Sequence, residues 1–266
     1  MKKERRKMTG KLIHSKIEKN IAIVEMCNEK KKNAFSYNLL SELKDTLQDL
    51  EVNEKIRVVI LCGRGGNFSS GMDVNWFLKE DFISMRKAER CIQDVFTYVE
   101  HYTKPLIAAL SGMTLGAGLT LALHCDRRIA SNDVVVGLPE IRIGVPIGHA
   151  AFKILQKYLG IGRIKDLLFT GRLMNAQEGV NLGLIDTVTD TANLMKESML
   201  FAHEMSTYSP ITVEMYKASL NASYEMSEKS VLTYTLDSLG FYWATKDRRE
   251  GFEAFLEKRK PVFEGR

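Results

Sequence analysis

One stretch of the chain decides the fold, and residues 104–148 spell it as KPLIAALSGMTLGAGLTLALHCDRRIASNDVVVGLPEIRIGVPIG. A short apolar run, LIAAL, is followed by a glycine-containing turn and then by a second apolar run, LTLALHC. A short apolar run bounded by turn residues is typical of a buried strand, and the longer run after Gly116-Ala117-Gly118 favours a helix. The stretch therefore predicts a buried strand that leads through a turn into a buried helix.

Glu140 is the residue of this stretch best suited to proton transfer. It follows Pro139 inside the otherwise apolar segment VVVGLPEI. A carboxylate in such surroundings is costly unless it lies at an exposed turn or serves in catalysis. Burial would raise the pKa of Glu140 and make it a better general acid/base. An exposed turn glutamate after a proline is the alternative interpretation.

Two turns rich in small residues follow the strands predicted over 56–62 and 106–110. The turn Gly116-Ala117-Gly118 opens a helix, and its free backbone N–H groups can hold an anion or a developing oxyanion. It is not a dinucleotide fingerprint, because Leu121 stands where the third glycine belongs. The earlier loop, FSSGMD over 68–73, can bring a second donor to the same point, although an ordinary connecting loop is an equal alternative.

Other catalytic and metal-binding patterns are absent from the sequence. It contains neither GxSxG nor HExxH. His124 lies in an apolar helix and is expected to pack or cap, while His149 is expected to start a helix, although it can reach a site near Glu140. The cysteines lack the CxxC spacing of a structural zinc site, and they are expected to be buried free thiols in a reducing compartment; they are Cys27, Cys62, Cys91 and Cys125.

Composition and charge limit the possible partners. The 266 residues are 45% hydrophobic and 27% charged, with a net charge of +5. The first seven residues, MKKERRK, hold five basic and one acidic side chain, which leaves the remainder near neutrality. We therefore expect a disordered basic tail over residues 1–11 rather than a nucleic-acid-binding face. The sequence has no membrane span and no secretory signal, so we expect a cytoplasmic protein.

Strand and helix signals alternate up to about residue 190, and only helical signals follow. The pattern predicts an α/β core over 12–200 and a helical region over 201–266. The last helix pattern, within 241–259, carries an apolar stripe that packs either inside its own subunit or against another subunit; its members are Phe241, Trp243, Phe252, Phe255 and Leu256.

Local signals define most of the individual elements. Residues 12–17 and 21–26 are expected to form an antiparallel pair, and Ser36 is expected to cap a helix that ends near Glu51. Asn175 and Glu178 form a capping-box pattern, and Ser209-Pro210 is expected to open another helix. A helix is predicted over 84–103, a turn over 111–116, and strands over 128–131, 134–137 and 184–188.

Taken together, these motifs resemble the crotonase superfamily, the enoyl-CoA hydratase/isomerase family. The resemblance runs from about residue 12 and rests on FSSGMD, KPLIAA, Gly116-Ala-Gly118, Cys125-Asp126, Pro139-Glu140 and the C-terminal EGFEAFLEKRKPVF. It implies the α/β crotonase-like (ClpP/crotonase) fold of repeated ββα units, with a helical C-terminal region that packs in a homotrimer or a dimer of trimers.

The resemblance also implies an acyl-CoA thioester substrate, with coenzyme A as part of the substrate and neither a further cofactor nor a metal. It places the thioester oxygen between the backbone N–H groups of Met72 and Ala117. The substrate-binding residues that it implies are Ser70, Gly71, Met72, Asp73, Val74, Gly116 and Ala117.

One departure from the family pattern bears on the reaction. Hydratases of this family resemble one another in using two glutamates, one after the glycine-containing turn and one after the proline. In this chain Glu140 matches the glutamate after the proline, whereas Thr120 stands at the position after the turn. Threonine is not a general base near neutral pH. The chain therefore resembles the single-glutamate Δ3,Δ2-enoyl-CoA isomerases. Dienoyl-CoA isomerases carry an additional acid where this chain has Gly148, so that reaction is set aside.

Two other functions stay open at this point. The chain is an enoyl-CoA hydratase if Glu140 positions water with the help of His149 or another group. It is a non-catalytic acyl-CoA-binding scaffold if Glu140 serves no reaction.

Overall fold

The computed structural model describes residues 11–266. The basic tail predicted over residues 1–11 thus lies, except for Lys11, outside the described residues. A six-stranded sheet forms the centre, and its spatial order is β1-β2-β3-β4-β6-β9. The first two strands pair antiparallel and the remaining pairs are parallel. Its strands are β1 (Ile13–Glu18), β2 (Ile21–Met26), β3 (Val58–Gly63), β4 (Leu106–Leu110), β6 (Arg127–Ser131) and β9 (Thr187–Thr189).

A second sheet of three short strands lies beside the turn that precedes the buried helix. Its order is β5-β7-β8, and the strands are β5 (Met113–Leu115), β7 (Val135–Gly137) and β8 (Leu173–Asn175). The turn predicted over 111–116 is therefore partly wrong, because it contains β5. The strand predicted over 184–188 is shifted, since β9 begins at Thr187. Pairing with strands distant in sequence decides both segments, and local periodicity carries no such information.

Helices pack on both faces of the main sheet. They are α1 (Tyr37–Glu51), α2 (Val74–Phe77), α3 (Phe82–Glu100), α4 (Ala117–His124), α5 (His149–Tyr158), α6 (Ile161–Thr170), α7 (Ala176–Asn181), α8 (Leu194–Met205), α9 (Pro210–Ser223), α10 (Glu228–Trp243) and α11 (Lys246–Glu257). The predicted caps are confirmed: Ser36, Asn175 and Ser209 each accept a hydrogen bond from a backbone N–H of the first turn.

The main sheet has an apolar layer on each side. Every residue of β4 is buried, and α4 continues the larger of the two cores. On the opposite face, α8 packs on β3, β4 and β6. The boundary predicted at residue 200, between the α/β core and the helical C-terminal region, falls inside α8. Because β4 is held on both faces, the turn that follows it sets the position of the α4 N-terminus.

Polar groups link the C-terminal helix α9 to the core. Helices α9 and α10 contain no buried residue. Lys217 donates to the carbonyl oxygen of Lys104 at 2.9 Å and to Asp126 at 2.6 Å. The apolar stripe predicted near the C-terminus stays exposed in the single chain, with Phe241 80% and Phe255 81% accessible. Trp243 and Phe252 of the stripe pack on each other, with ring centroids 6.1 Å apart, but the described residues leave most of the stripe uncovered.

The four cysteines differ in burial. All four cysteines are free thiols, but only Cys62 and Cys125 are buried, whereas Cys27 and Cys91 are partly exposed. The expectation of four buried thiols is thus right for two. Burial raises the pKa of Cys62 and that of Cys125 to about 12.

Within residues 11–266, none of the helices combines the length and apolar character that crossing a membrane requires.

Candidate active site

The loop over 68–73 lies directly against the turn that precedes α4. The backbone N–H of Ser69 donates to Met113 O at 2.9 Å, and Leu115 N–H donates back to Ser69 O at 3.0 Å. The N–H of Phe68 donates to Ser111 O at 2.8 Å. Three hydrogen bonds thereby join two segments that are more than 40 residues apart in sequence. The two glycine-containing turns singled out from the sequence are brought together.

Gly71 and Gly116 allow the closest approach between these turns. Both have left-handed backbone conformations, with φ of 95° and 53°, which L side chains rarely adopt. A methyl group built on Gly71 would lie 3.0 Å from Leu115 O and 3.5 Å from Ala117 N. The backbone around Gly71 thus passes within van der Waals distance of the Ala117 amide.

The amides of Met72 and Ala117 are free at this junction. Phe35 N–H donates to Gly71 O at 2.7 Å and Asp73 N–H donates to Phe35 O at 2.9 Å, so the intervening amide of Met72 is bypassed. Ala117 is the first residue of α4, where a helix supplies no acceptor. Neither amide donates to another residue in the described part of the chain. Two free N–H groups on adjoining turns can stabilise a carbonyl oxygen that gains negative charge.

Glu140 lies over this same turn. It belongs to a 3₁₀ segment, Pro139–Ile143, that is tied to the turn because Gly116 N–H donates to Gly137 O at 2.9 Å. A methyl group built on Gly116 would lie only 2.3 Å from Glu140 Oε1. The carboxylate therefore fills the space beside Gly116, next to the N-terminus of α4.

The environment of Glu140 differs from that of an exposed turn residue. The side chain is half-buried, and its Oε2 atom is buried without a hydrogen-bond partner in the described residues. Burial raises the pKa of Glu140 above the ordinary value of 4.5 for glutamate. An unpartnered buried carboxylate oxygen is unfavourable for stability, which makes a role in proton transfer the better explanation for its position.

Thr120 lies one turn further along α4 and is only 3% exposed. Its hydroxyl group donates to Gly116 O at 3.2 Å, the carbonyl four residues earlier. The hydroxyl is thus engaged by the helix backbone. Position 120 brings neither an acid nor a base to the site.

The two histidines of interest occupy different environments. His124 is buried, with Nδ1 2.7 Å from Thr120 O and Nε2 3.7 Å from Glu100. Burial lowers the pKa of His124, against the opposing effects of the Thr120 hydrogen bond and the Glu100 charge. Its predicted packing role is confirmed. His149 is exposed and begins α5, as predicted, and within residues 11–266 no hydrogen bond or ion pair joins it to Glu140.

The 68–73 loop is supported by a lysine that sequence reasoning missed. Lys31 Nζ lies 2.5 Å from Asp73 Oδ2, and the Ser70 hydroxyl donates to Lys31 O at 3.1 Å. Burial favours a higher pKa for Asp73, but hydrogen bonds from Lys31 and Asn75 outweigh it and lower the pKa. Val74 starts α2, which Asp73 caps. The run of three lysines over 30–32 was the available signal.

The described residues contain no cluster of three or more His, Cys, Asp or Glu side chains that could hold a metal ion. Two free amides and one half-buried carboxylate are grouped around Gly116.

Comparison with known proteins gives a consistent result. Residues 16–266 match the family model described as enoyl-CoA hydratase/isomerase. The chain is 34% identical to the putative enoyl-CoA hydratase/isomerase YngF of Bacillus subtilis, over 92% of this chain and 95% of that protein. It is 31% identical to the crotonyl-CoA hydratase of Syntrophomonas wolfei, over 92% and 95%. The crystal structure of the enoyl-CoA hydratase from Bacillus anthracis superposes with a TM-score of 0.91 at 30% identity, covering 96% of this chain and all of the other.

Proposed function

We propose that this chain, which belongs to the enoyl-CoA hydratase/isomerase family, moves the double bond of a 3-enoyl-CoA ester to the 2,3 position. It is an enzyme of the enoyl-CoA hydratase or isomerase type. The finer assignment rests on the chemistry of position 120 and of Glu140. Coenzyme A belongs to the substrate, and we propose no further cofactor.

We place the thioester oxygen between the amides of Met72 and Ala117. The two turns that carry them are hydrogen-bonded to each other, which would hold both donors in place before the substrate arrives. Residues 70–74 would lie along the pantetheine and adenine parts of coenzyme A. Lys31 pairs with Asp73 of that loop, which would hold the loop in place for coenzyme A.

The reaction needs one base and one oxyanion site. The Glu140 carboxylate takes a proton from C2 of the 3-enoyl ester, and the electrons of the C2–H bond form a C1–C2 double bond as the carbonyl π electrons move onto the thioester oxygen. The resulting dienolate carries its charge on that oxygen, between the two amides, and keeps its C3–C4 double bond. Glu140, now protonated, returns the proton to C4: the carbonyl re-forms, the C1–C2 π electrons become the C2–C3 double bond, and the C3–C4 π electrons take up the proton. No atom is gained or lost, and the carboxylate is regenerated.

One observation carries this proposal: Glu140 is the carboxylate at the amide pair, while position 120 offers a hydroxyl group that is already bonded to Gly116 O. Adding water to a double bond requires a group that activates the water and a group that moves a proton to C2. A single shuttling carboxylate is enough for isomerisation but leaves hydration without one of these two groups.

Hydration of a 2-enoyl-CoA is the second candidate, and the names of the relatives favour it. Among them are a crotonyl-CoA hydratase and a short-chain-enoyl-CoA hydratase of Clostridium acetobutylicum that is 30% identical over 91% of this chain. In this chain hydration would require water to be activated by Glu140 or by a residue outside position 120. The exposed side chain of His149 makes no hydrogen bond or ion pair with Glu140 in the described residues.

A paired assay tests the proposal. The purified protein is incubated separately with 3-hexenoyl-CoA and 2-hexenoyl-CoA, and products are resolved by chromatography and mass. We expect the 3-enoyl ester to be converted without a change in mass and the 2-enoyl ester to gain no water. Rapid formation of a product heavier by one water molecule from the 2-enoyl ester would overturn isomerisation as the main activity. The Glu140→Gln variant serves as the control for protein-dependent turnover.

A further inference from the structure

We infer that Glu89 determines acyl specificity at this site, by placing a carboxylate in the wall of the acyl-binding region that disfavours acyl chains ending in a negative charge. The inference rests on the proposed acyl-CoA site. It does not depend on whether the enzyme isomerises or hydrates its substrate.

The first observation concerns Gly148, the residue that precedes α5. Its backbone angles, φ −72° and ψ 166°, are open to any amino acid, so glycine is not needed there for conformation. A methyl group built on Gly148 would instead lie 2.5 Å from Glu89 Oε1 and 3.2 Å from Oε2. The absence of a side chain at 148 makes room for the carboxylate of Glu89, which reaches it from α3.

A carboxylate against a glycine is also found at the proposed active site, where Glu140 lies against Gly116. Among the glycines of residues 11–266, only Gly116 and Gly148 have a carboxylate oxygen within 3 Å of a built methyl group. At Gly116 that carboxylate belongs to Glu140, and at Gly148 it belongs to Glu89. Glu140 and Gly148 lie near opposite ends of one segment, eight residues apart. The segment thus carries Glu140, the proposed base, at one end and meets the carboxylate of Glu89 at the other.

The second observation is that Glu89 is half-buried without a cation. It accepts one hydrogen bond, from Gln93 Nε2 at 3.0 Å, and no Lys, Arg or His of the described residues lies within 4 Å of it. Glu100, on the same helix and also half-buried, pairs with Lys157. A carboxylate can accept several hydrogen bonds, so Glu89 keeps unused acceptor capacity. Fold stability does not explain a partly desolvated carboxylate that lacks a counter-ion.

The third observation is the apolar surface next to Glu89. Ala88 and Ile92 of α3 are buried, which places Glu89 at the edge of the core-facing side of that helix. The side chains of Met72 and Ile147 are half-buried and pack on the main core. Ile147 adjoins Gly148 in sequence, so the residue next to the one that meets the Glu89 carboxylate is apolar and packs on the core. An acyl group extending past Glu140 along this segment would meet the carboxylate of Glu89.

The chemical consequence is selection by charge. Two like charges a few ångströms apart in a partly desolvated region repel each other much more strongly than they do in water. A neutral alkyl chain of the same length meets no such repulsion. The site should therefore take neutral acyl chains and reject those that end in a carboxylate.

Binding of two saturated esters of equal chain length, hexanoyl-CoA and adipyl-CoA, tests the inference by calorimetry, because neither ester can be isomerised or hydrated. In the parent protein we expect hexanoyl-CoA to bind at least about tenfold more tightly. Glu89→Gln should reduce this ratio by about tenfold, through tighter binding of adipyl-CoA. Glu89→Lys should reverse the preference. Glu228→Gln removes the same charge from the exposed start of α10 and should leave the ratio unchanged.

The outcomes separate the inference from the proposed function. An unchanged ratio in folded Glu89→Gln and Glu89→Lys proteins would overturn the specificity role, and equal weakening of both esters would assign Glu89 a structural role instead. Failure of the parent protein to bind either ester would contradict the acyl-CoA site itself. Thermal unfolding of each variant identifies any that fails to fold.

Discussion

Helix α4 buries seven of its eight residues, whereas α10 is twice as long and buries none of its sixteen. Both sequences are rich in apolar side chains, although α10 also carries three charged residues and α4 carries none of Asp, Glu, Lys or Arg. The apolar partners of α4 are supplied by this chain, in the core that continues from β4. Residues 11–266 cover α10 only in part, through its contacts with α9, and leave large apolar side chains of α10 exposed. The comparison shows that a helix with apolar faces can be either a fixed internal support or a surface that requires another molecule.

The difference has a functional consequence for each helix. Because α4 is enclosed, Gly116 and Ala117 at its start are held where the proposed oxyanion site needs them. The exposed apolar side chains of α10 form a patch larger than a solitary surface residue would explain; they include Leu232, Leu236, Leu239, Phe241 and Trp243. We propose that further copies of this chain cover them, in a homotrimer or a dimer of trimers.

The largest effect is expected at Glu140, which lies beside the start of the enclosed helix α4. Glu140→Gln keeps the size of the side chain and removes the base, so turnover should fall by at least about 10³-fold. Binding of a saturated acyl-CoA should persist, because the amides of Met72 and Ala117 are unchanged. Kinetics on the 3-enoyl ester and calorimetry on the saturated ester measure the two quantities. Substantial residual turnover would show that another group carries the proton, and the exposed Glu228→Gln variant controls for the loss of charge.

Truncation of the enclosed helix comes next. Leu121 is fully buried in α4, and Leu121→Ala should lower the free energy of unfolding by about 2–5 kcal/mol through lost burial and a residual cavity. Urea unfolding at fixed protein concentration measures this change. A loss below about 1 kcal/mol would contradict the tight packing assigned to α4. Leu121→Met, which nearly conserves volume, is the matched control.

Charges placed on the exposed helix α10 should change the oligomeric state of the protein. The double variant Leu236→Lys and Leu239→Lys places two charges on the apolar face of α10 and should convert the assembled protein into single chains, because buried lysines without partners are unfavourable. Sedimentation velocity measures the change in mass, while circular dichroism checks that the chain stays folded. A parent protein that sediments as a single chain would contradict the proposed assembly. Lys229→Glu, on the same exposed helix, is the charge-changing control.

The pH dependence of turnover should reflect the burial of Glu140. The base acts as a carboxylate, so the rate should fall with decreasing pH through a pKa that burial raises above 4.5. The raised pKa of Glu140 has the opposite effect on stability: as pH rises, the rate increases but the free energy of unfolding decreases. The folded chain holds the proton more tightly, so the parent should lose stability relative to Glu140→Gln as pH rises from 4.5 through that raised pKa. An acid limb below pH 4.5 would contradict the buried environment.

The smallest effect is expected at Thr120. Thr120→Val removes the hydrogen bond to Gly116 O and preserves the shape of the side chain, so the free energy of unfolding should fall by about 1 kcal/mol. Turnover of the 3-enoyl ester should stay within about threefold, since the hydroxyl group has no chemical role in a one-base mechanism. A large loss of turnover together with unchanged stability would show that Thr120 takes part in the reaction. Thr233→Val on exposed α10 is the control.

Sequence reasoning succeeded where the signals are local. Ser36, Asn175 and Ser209 cap their helices because capping depends on a few consecutive residues. The crotonase-like α/β fold was also predicted correctly from ordered motifs, as the similarity to solved structures confirms. The strand β5 was missed because its partners, β7 and the 68–73 loop, are distant in sequence. Glu89 was missed because a single glutamate on an amphipathic helix gives the pattern of a solvated face.

By itself, the sequence determined most of the elements, the family and the chemical types at positions 120 and 140, because these depend on side-chain identity and short-range pattern. Only the tertiary structure decided that the amides of Met72 and Ala117 are both free, that Glu140 occupies the space beside Gly116, and that Glu89 does the same at Gly148. These facts depend on contacts between segments far apart in sequence. Close packing fixes such contacts to fractions of an ångström, and no local pattern encodes them.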